Sequence, residues 1–467
     1  MRFHQRTSIK LAIPSKDKHQ NLRSERGNPI NHKSRNNMEQ LLHYVWKHKL
    51  FPLSPLSTTD HRQVEVIDPG LHNRNAGPDF FNAKIKIAGT LWVGNVEIHD
   101  KASDWYLHAH DKDERYDNVI LHVCGNIDTE ARNSKGAPLT QMQLGIPDNV
   151  FQHYQELLTI DQYPPCYQII PSLTKLTVHS WMSALQTERL SQKTEAIEER
   201  VRRCNGDWEN AYFVTLARNY GFGINGDAFE QWALKLPLRA VDHHRDDLFQ
   251  IEAIFMGQAG LLELNTIPER YQKDALNDGY FARLRNEYLY LSHKFSLQPM
   301  DYKLWRFLRL RPQNFPHIRI SQLANLYYNR RAGLSQLLGA TTVKEAKKVL
   351  STSVTEYWET HYTFGSTSIR NEKHLSPFSL NLLIINTVVP ILFAYGRHRG
   401  EEKYCDRAFD FLEELKAENN HIVRMWQQCG LEVENAGDSQ ALIQLKKEYC
   451  DKKECLRCRI GYEYLKR

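Results

Sequence analysis

A chain of 467 residues is long enough for two or three separate cores, and its 41% hydrophobic and 11% aromatic content supplies material for them, so global disorder is excluded. The formal charge of +6 is concentrated at one end: residues 1–37 hold nine Lys/Arg against two acids, the remaining 430 sum to −1, and a uniformly basic nucleic-acid clamp is excluded. No run of 18 uninterrupted apolar residues occurs and no secretory apolar core follows the first residues, so a cytoplasmic protein without a membrane span is expected.

In chain order, residues 1–37 read as a basic, disordered tail or as an artefact of the chosen start, because Met38 opens the first amphipathic segment. Residues 38–163 form the next unit. Helical spacing from Met38 to Leu50 ends at Pro52 and Pro55, and Gln63–Asp68 alternates like a strand up to Pro69-Gly70. Phe80–Ile87 and Leu91–His99 flank Ala88-Gly89-Thr90 and predict a hairpin, and Asn118–Cys124 predicts a further strand. From 164 to 467 helical periodicity dominates, beginning with Leu173–Arg203 and including Leu382–Tyr395, a core helix broken by Asn386 and Pro390. The expected fold class is therefore α+β or α/β: an N-terminal mixed sheet with helices, followed by a large all-α region.

Within the hairpin, pairing about Gly89 makes opposed residue numbers sum to about 178. That sets Asp79 opposite His99 and Phe81 opposite Glu97, with Glu97 and His99 on one face of their strand. Two carboxylates held together repel unless a cation or a proton joins them, and a hard divalent ion suits oxygen ligands. His108-Ala-His110 and His122 follow closely, and a His-x-His pair with Glu97 or His99 equally suits Zn²⁺ or Fe²⁺ in a small-molecule enzyme.

Gly77-Pro78-Asp79 followed by Glu97-Ile98-His99 resembles the PD-(D/E)xK, restriction-endonuclease-like nuclease core, with His where Lys usually stands. The resemblance implies a metal-dependent nuclease of DNA or RNA: Asp79, Glu97 and the Ile98 carbonyl would bind Mg²⁺ or Mn²⁺, His99 would orient or deprotonate water, and Glu39 would join from the first helix. The His-for-Lys change also fits a non-catalytic, nucleic-acid-binding assembly protein on the same fold. Across most of its length, from Val45-Trp-Lys through Asn386-Thr-Val-Val-Pro390, the chain looks like a member of an uncharacterised bacterial family of unknown function.

Cys450, Cys455 and Cys458 crowd the C-terminus among Lys and Arg residues, and Cys166 in Pro164-Pro-Cys-Tyr is the first candidate for a fourth ligand to Zn²⁺ or an iron–sulfur cluster. Arg309, Arg311 and Arg319, interleaved with aromatics, suit phosphate contact and base stacking. Gly221-Phe-Gly-Ile-Asn-Gly226 matches a dinucleotide-binding string, but it follows a helix and reads as an interhelical turn. Nucleic acid is the expected partner, no membrane is implied, and nothing in the sequence sets the oligomeric state.

Overall fold

The computed structural model describes residues 32–467 apart from Leu53 and Arg74, and residues 32–37 by backbone alone. Most of the expected tail lies outside the described residues. Its last six residues are helical, because α1 runs from His32 to Lys47, well ahead of Met38. Two compact units follow, the first ending at Gln152 and the second starting at His153. That boundary falls inside α3 (Asp148–Thr159), before the Pro164-Pro165 break.

The first unit is built on a mixed sheet. Its strands are β1 (Val64–Asp68), β2 (Leu71–His72), β3 (Phe80–Ile87), β4 (Thr90–Lys101), β5 (Val119–Asn126) and β6 (Gln141–Gln143). The order is β1-β3-β4-β5-β6, with β2 beside β3. β1, β3 and β4 pair antiparallel, whereas β5 runs parallel to β4 after a crossover that contains α2 (Asp104–Leu107). α1 packs on β4 and buries Leu41, Leu42, Val45 and Trp46, with the Trp46 indole donating to the Pro69 carbonyl at 3.0 Å. Paired on both edges and covered by α1 and the crossover, β4 is buried continuously from Asn95 to His99. Polar side chains are thereby drawn inward.

The hairpin is where expected, but its register differs. Ile87 opposes Thr90 and Ala83 opposes Gly94, and then Phe80 opposes Val96, so one extra residue sits in β3. Asn82 takes it up with φ of 56°, a left-handed bulge position that asparagine tolerates. Asp79 consequently falls level with Glu97, and not with His99.

The second unit is mainly helical, opening with α4 (Lys175–Arg203), α5 (Trp208–Tyr220) and α6 (Gly226–Lys235). Asp207, Asp247 and Asp278 each cap a helix by accepting two backbone N–H bonds, which marks those helix starts in the sequence. The helix Leu248–Gln258 has buried residues all round, as a central helix must. One departure from the all-α expectation is a small hairpin, β7 (His361–Thr363) with β8 (Ser366–Thr367). The apolar run Pro377–Arg399 is continuous but passes through a wider π segment at Ile384–Val388. Pro390 has no N–H to offer the Asn386 carbonyl, which accepts instead from Asn219 Nδ2 at 2.9 Å. Among the described residues this is the one helical run long and apolar enough to cross a membrane, and 67% of its apolar window is buried inside the protein.

Candidate metal centre

Asp79 and Glu97 interlock through the backbone. The Asp79 N–H donates to Glu97 Oε2 at 3.0 Å, and the Ile98 N–H donates to Asp79 Oδ2 at 2.9 Å. The other Glu97 oxygen faces imidazoles, lying 3.2 Å from His110 Nε2 and 3.7 Å from His99 Nε2. His99 in turn reaches His108 Nδ1 at 3.1 Å and His122 Nε2 at 2.8 Å. The ligand atoms of His99, His108 and His110 all lie within 4.8 Å of one another.

The crossover aims the His-x-His pair. Ala109, between them, has φ of 57°, and this left-handed kink turns both imidazoles toward β4 where a continued helix would separate them. Tyr116 stacks on His110 with ring centroids 3.8 Å apart, and Trp105, fully buried, meets His110 and His122 at 5.3 and 5.1 Å. The rings are thus clamped by packing as well as by hydrogen bonds.

Burial sets the protonation of this cluster. Desolvation, reinforced by the charge on Asp79, pushes Glu97 up to about 9, so its carboxyl is neutral at pH 7. Desolvation, then the neighbouring His122, His108 and His110, drive His99 down to about 2. Burial first and His110 second hold His122 at about 4. These imidazoles are neutral and free to act as ligands. His43 behaves in the opposite way. Burial works against its charge, but the Asp79 carboxylate 3.3 Å away, helped by Glu39, outweighs burial and raises it.

The expected residues Asp79, Glu97, His99, His108, His110 and His122 are therefore brought together. Glu39 also falls within reach, since burial and Asp79 raise its carboxyl while His43 lowers it. His43 is the residue that the sequence reading missed. It stands four residues after Glu39 on α1, so the two share a helix face, and that spacing was the available signal. Asp113, one of the acids in the same stretch, caps a short turn and pairs with Arg115, leaving it a local role.

The cysteines share one neighbourhood, where Cys458, Cys450 and Cys455 each add to the rise of the Cys166 thiol, but among the described residues only His99, His108 and His110 bring their ligand atoms within 4.8 Å of one another. The segment carrying Cys166 is tied to the C-terminal motif where the Tyr163 hydroxyl donates to Asp451 at 3.0 Å and the Tyr464 hydroxyl donates to Glu156 at 2.9 Å. Cys166, Cys450, Cys455 and Cys458 are all free thiols, and burial first, then one another's charge, raises Cys166, Cys450 and Cys455, the last to about 12. Cys458 is pushed by burial to about 11 even though the N–H groups of Gly461 and Ile460 face its sulfur. A side chain at Gly461 would meet the Cys455 carbonyl at 2.1 Å, so only glycine allows the motif to fold this tightly. Arg309, Arg311 and Arg319 line one cavity, with Arg319 buried and the other two exposed.

A mixed sheet carrying interlocked carboxylates and a trio of neighbouring imidazoles defines an α+β protein with a histidine–carboxylate centre. A family model described as a protein of unknown function, DUF2851, matches residues 39–421, and the chain belongs to that family. The match includes every residue of the centre and Cys166, and ends before Cys450. No curated protein and no solved structure matches the chain.

Proposed function

We propose that this protein is a metal-dependent phosphodiesterase acting on nucleic acid. The observation that carries the reading is the convergence of Asp79, Glu97, His99, His108 and His110 at one end of the β3–β4 hairpin. It is supported by the order of α1, β1 and the β3–β4 hairpin, which is similar to the helix–strand–hairpin order of the nuclease core. A cytoplasmic setting is consistent with eight free thiols.

The donor set fits a divalent metal. A carboxyl held neutral by burial beside imidazoles whose protonation burial disfavours, His99 and His110, is what a cluster of ligands looks like when protons alone balance its charge. Glu97, His99, His108 and His110 would hold the ion. Their nitrogen-rich character favours Mn²⁺, or the Zn²⁺ or Fe²⁺ of the alternative, over Mg²⁺, which prefers oxygen ligands. The Ile98 carbonyl expected as a ligand instead lies 3.4 Å from His43 Nε2. When bound, the metal would lower the pKa of a water and polarise a phosphoryl oxygen.

The chain's own residues account for the missing lysine. His99, pinned neutral, cannot supply a cation, whereas His43, whose proton affinity the Asp79 carboxylate raises against the effect of burial, is the imidazole placed to supply one. Its ring stands at the partly open side of the site and, when protonated, is positioned to stabilise anionic oxygens or to protonate a leaving group. Asp79 orients His43 and accepts from β4, which makes it a positioning residue as well as a charge.

Incubation of the full chain with single- and double-stranded DNA and RNA, with Mn²⁺, Mg²⁺ or Zn²⁺, tests the proposal. Cleavage that requires metal and is lost in Glu97→Gln supports it. Nucleic-acid binding without cleavage under every metal would move the reading to a non-catalytic assembly protein. Cleavage absent and binding absent, with tight metal uptake, would favour the small-molecule enzyme.

We propose separately that Cys166, Cys450, Cys455 and Cys458 hold Zn²⁺ or an iron–sulfur cluster that staples the C-terminus to the segment following α3. Two buried and two half-buried thiols, whose thiolate forms would repel one another, fit a soft ion that would deprotonate them and hold them together. Metal analysis and the visible spectrum of anaerobically purified protein distinguish the two, and loss of both signals in Cys458→Ser ties them to this site.

A further inference from the structure

The turn between α5 and α6 and the segment that leads into the helix Pro316–Tyr328 enclose a cavity of about 630 Å³ in the second unit. Asn225 fastens one wall to the other: its side chain donates to the Arg306 carbonyl at 2.9 Å and accepts from the Arg306 N–H at 2.8 Å. The Gly221–Gly226 string thus forms a turn, as its position after a helix implies, and a side chain at Gly221 would meet the Gly226 nitrogen at 2.4 Å.

None of the residues lining this cavity is acidic. Arg319, only 6% exposed, nevertheless projects its guanidinium there. It donates to Gln322 Oε1 at 2.8 Å and to Asn314 Oδ1 at 2.6 Å, both neutral, and its Nε has no partner. Among the described residues no carboxylate lies within ion-pair distance of it. The hydroxyl of Tyr220, fully buried on the same wall, is also without a partner. A buried guanidinium cannot shed its proton near neutrality, so an uncompensated one is costly unless an anion completes it.

The walls add to the argument. Phe222, whose ring lies 4.6 Å from the Arg319 guanidinium, and Arg309 both hold left-handed backbone, at φ of 43° and 64°. Strained positions of this kind persist where surrounding structure enforces them. Arg309 and Arg311 bring two further charges to the rim, and Phe378, 61% exposed, offers a second aromatic face.

We propose that this cavity binds a nucleotide-sized phosphate ester, with the phosphoryl group on Arg319, the rim arginines screening its charge, and the base against the exposed face of Phe378. Guanidinium geometry matches phosphate oxygens, four basic side chains (Arg309, Arg311, Arg319 and Lys373) with no acid among the lining residues suit a doubly charged group, and an aromatic face at the opening suits a base. The ligand is either a free nucleotide or the phosphorylated end of a strand. The cavity is lined by residues of the second unit alone and the metal centre by residues of the first, so binding here is tested separately from cleavage.

Titration of the full chain with AMP, adenosine and inorganic phosphate, and with a dinucleotide carrying or lacking a 5′-phosphate, tests the proposal. Saturable binding of AMP but not adenosine is expected, unchanged in Glu97→Gln and weakened at least about tenfold in Arg319→Met. Arg309→Ala with Arg311→Ala, both exposed and therefore safe for the fold, should weaken it severalfold and decides the matter if Arg319→Met does not fold. Tighter binding of the phosphorylated dinucleotide than of AMP assigns a strand end, and the reverse assigns a free nucleotide. Failure of AMP and phosphate to bind at millimolar concentration, or binding indifferent to these variants, overturns the proposal.

Discussion

The metal centre and the arginine cavity solve the same problem in opposite ways. Around Glu97 and His99 the buried groups are titratable, and each escapes its charge: the carboxyl keeps a proton and the imidazole gives one up. Arg319, lowered by burial only to about 10, has no such escape and remains charged at any physiological pH. A buried cluster that has neutralised itself by proton transfer is ready to exchange those protons for a metal. A buried cation that cannot neutralise itself requires an anion from outside.

The largest effect that would sharpen the contrast is on cleavage. Glu97→Gln removes a metal ligand while keeping the shape of a neutral carboxyl, so metal-dependent cleavage should fall by at least about a thousandfold while the metal-free melting temperature at pH 7 changes little. A large loss of metal-free stability would show that Glu97 is ionised and paired in the fold.

Next comes proton linkage. Metal binding must displace the Glu97 proton, so affinity should rise by about tenfold per pH unit from pH 6.5 toward the Glu97 pKa of about 9. In metal-free protein the signs oppose each other. His99 and His122 have depressed folded pKa values, so their contribution is lost as pH falls below their ordinary 6.5. Glu97 has a raised value, so its contribution is complete below its ordinary 4.5 and is lost as pH rises toward 9. Metal-free stability should therefore peak near pH 6.5. The alkaline decline should become shallower in Glu97→Gln, leaving the part due to His43, whose raised folded value makes its contribution fall as pH rises above 6.5, and thermal melts across pH would reveal the difference.

The cavity predicts a smaller change of the opposite kind. Replacing an uncompensated buried cation by an apolar side chain should stabilise the protein, so Arg319→Met is expected to raise ligand-free stability by about 1 to 3 kcal/mol while phosphate binding is lost. A lowered melting point in that variant would make Arg319 a structural residue. The smallest effect is at Ala109. Ala109→Gly relieves a left-handed backbone but loosens the unfolded chain's constraint, so stability should shift by less than about 1 kcal/mol while metal affinity drops as His108 and His110 lose their fixed aim.

Much of the centre was legible in the sequence because strand alternation and short spacing are local. Glu97 and His99 share a face by period two, and His108 and His110 follow a few residues later. The register was legible only to within a residue or two: the turn pairs Ile87 with Thr90, one residue from the expected sum, and the bulge at Asn82 shifts Asp79 by one more, to Glu97. Nor was the aim of the His-x-His pair, which rests on Ala109 in a conformation alanine rarely adopts. His43 could have been found from its four-residue spacing to Glu39, but its raised proton affinity could not, because that depends on Asp79 more than thirty residues away. β7 and β8 are too short to leave an alternating pattern. The arginines were singled out as a group, but their meaning turns on which of them is buried without an acid, and only the packed helices decide that.

The most direct test of the central claim is metal binding by the intact chain at pH 7.5, measured as Mn²⁺ or Zn²⁺ uptake with proton release recorded in the same titration. One ion bound at the histidine–carboxylate centre with about one proton released, and uptake at that centre lost in a His108→Ala, His110→Ala double variant, is the predicted result. Uptake unaffected by those substitutions, or without proton release, would contradict the account.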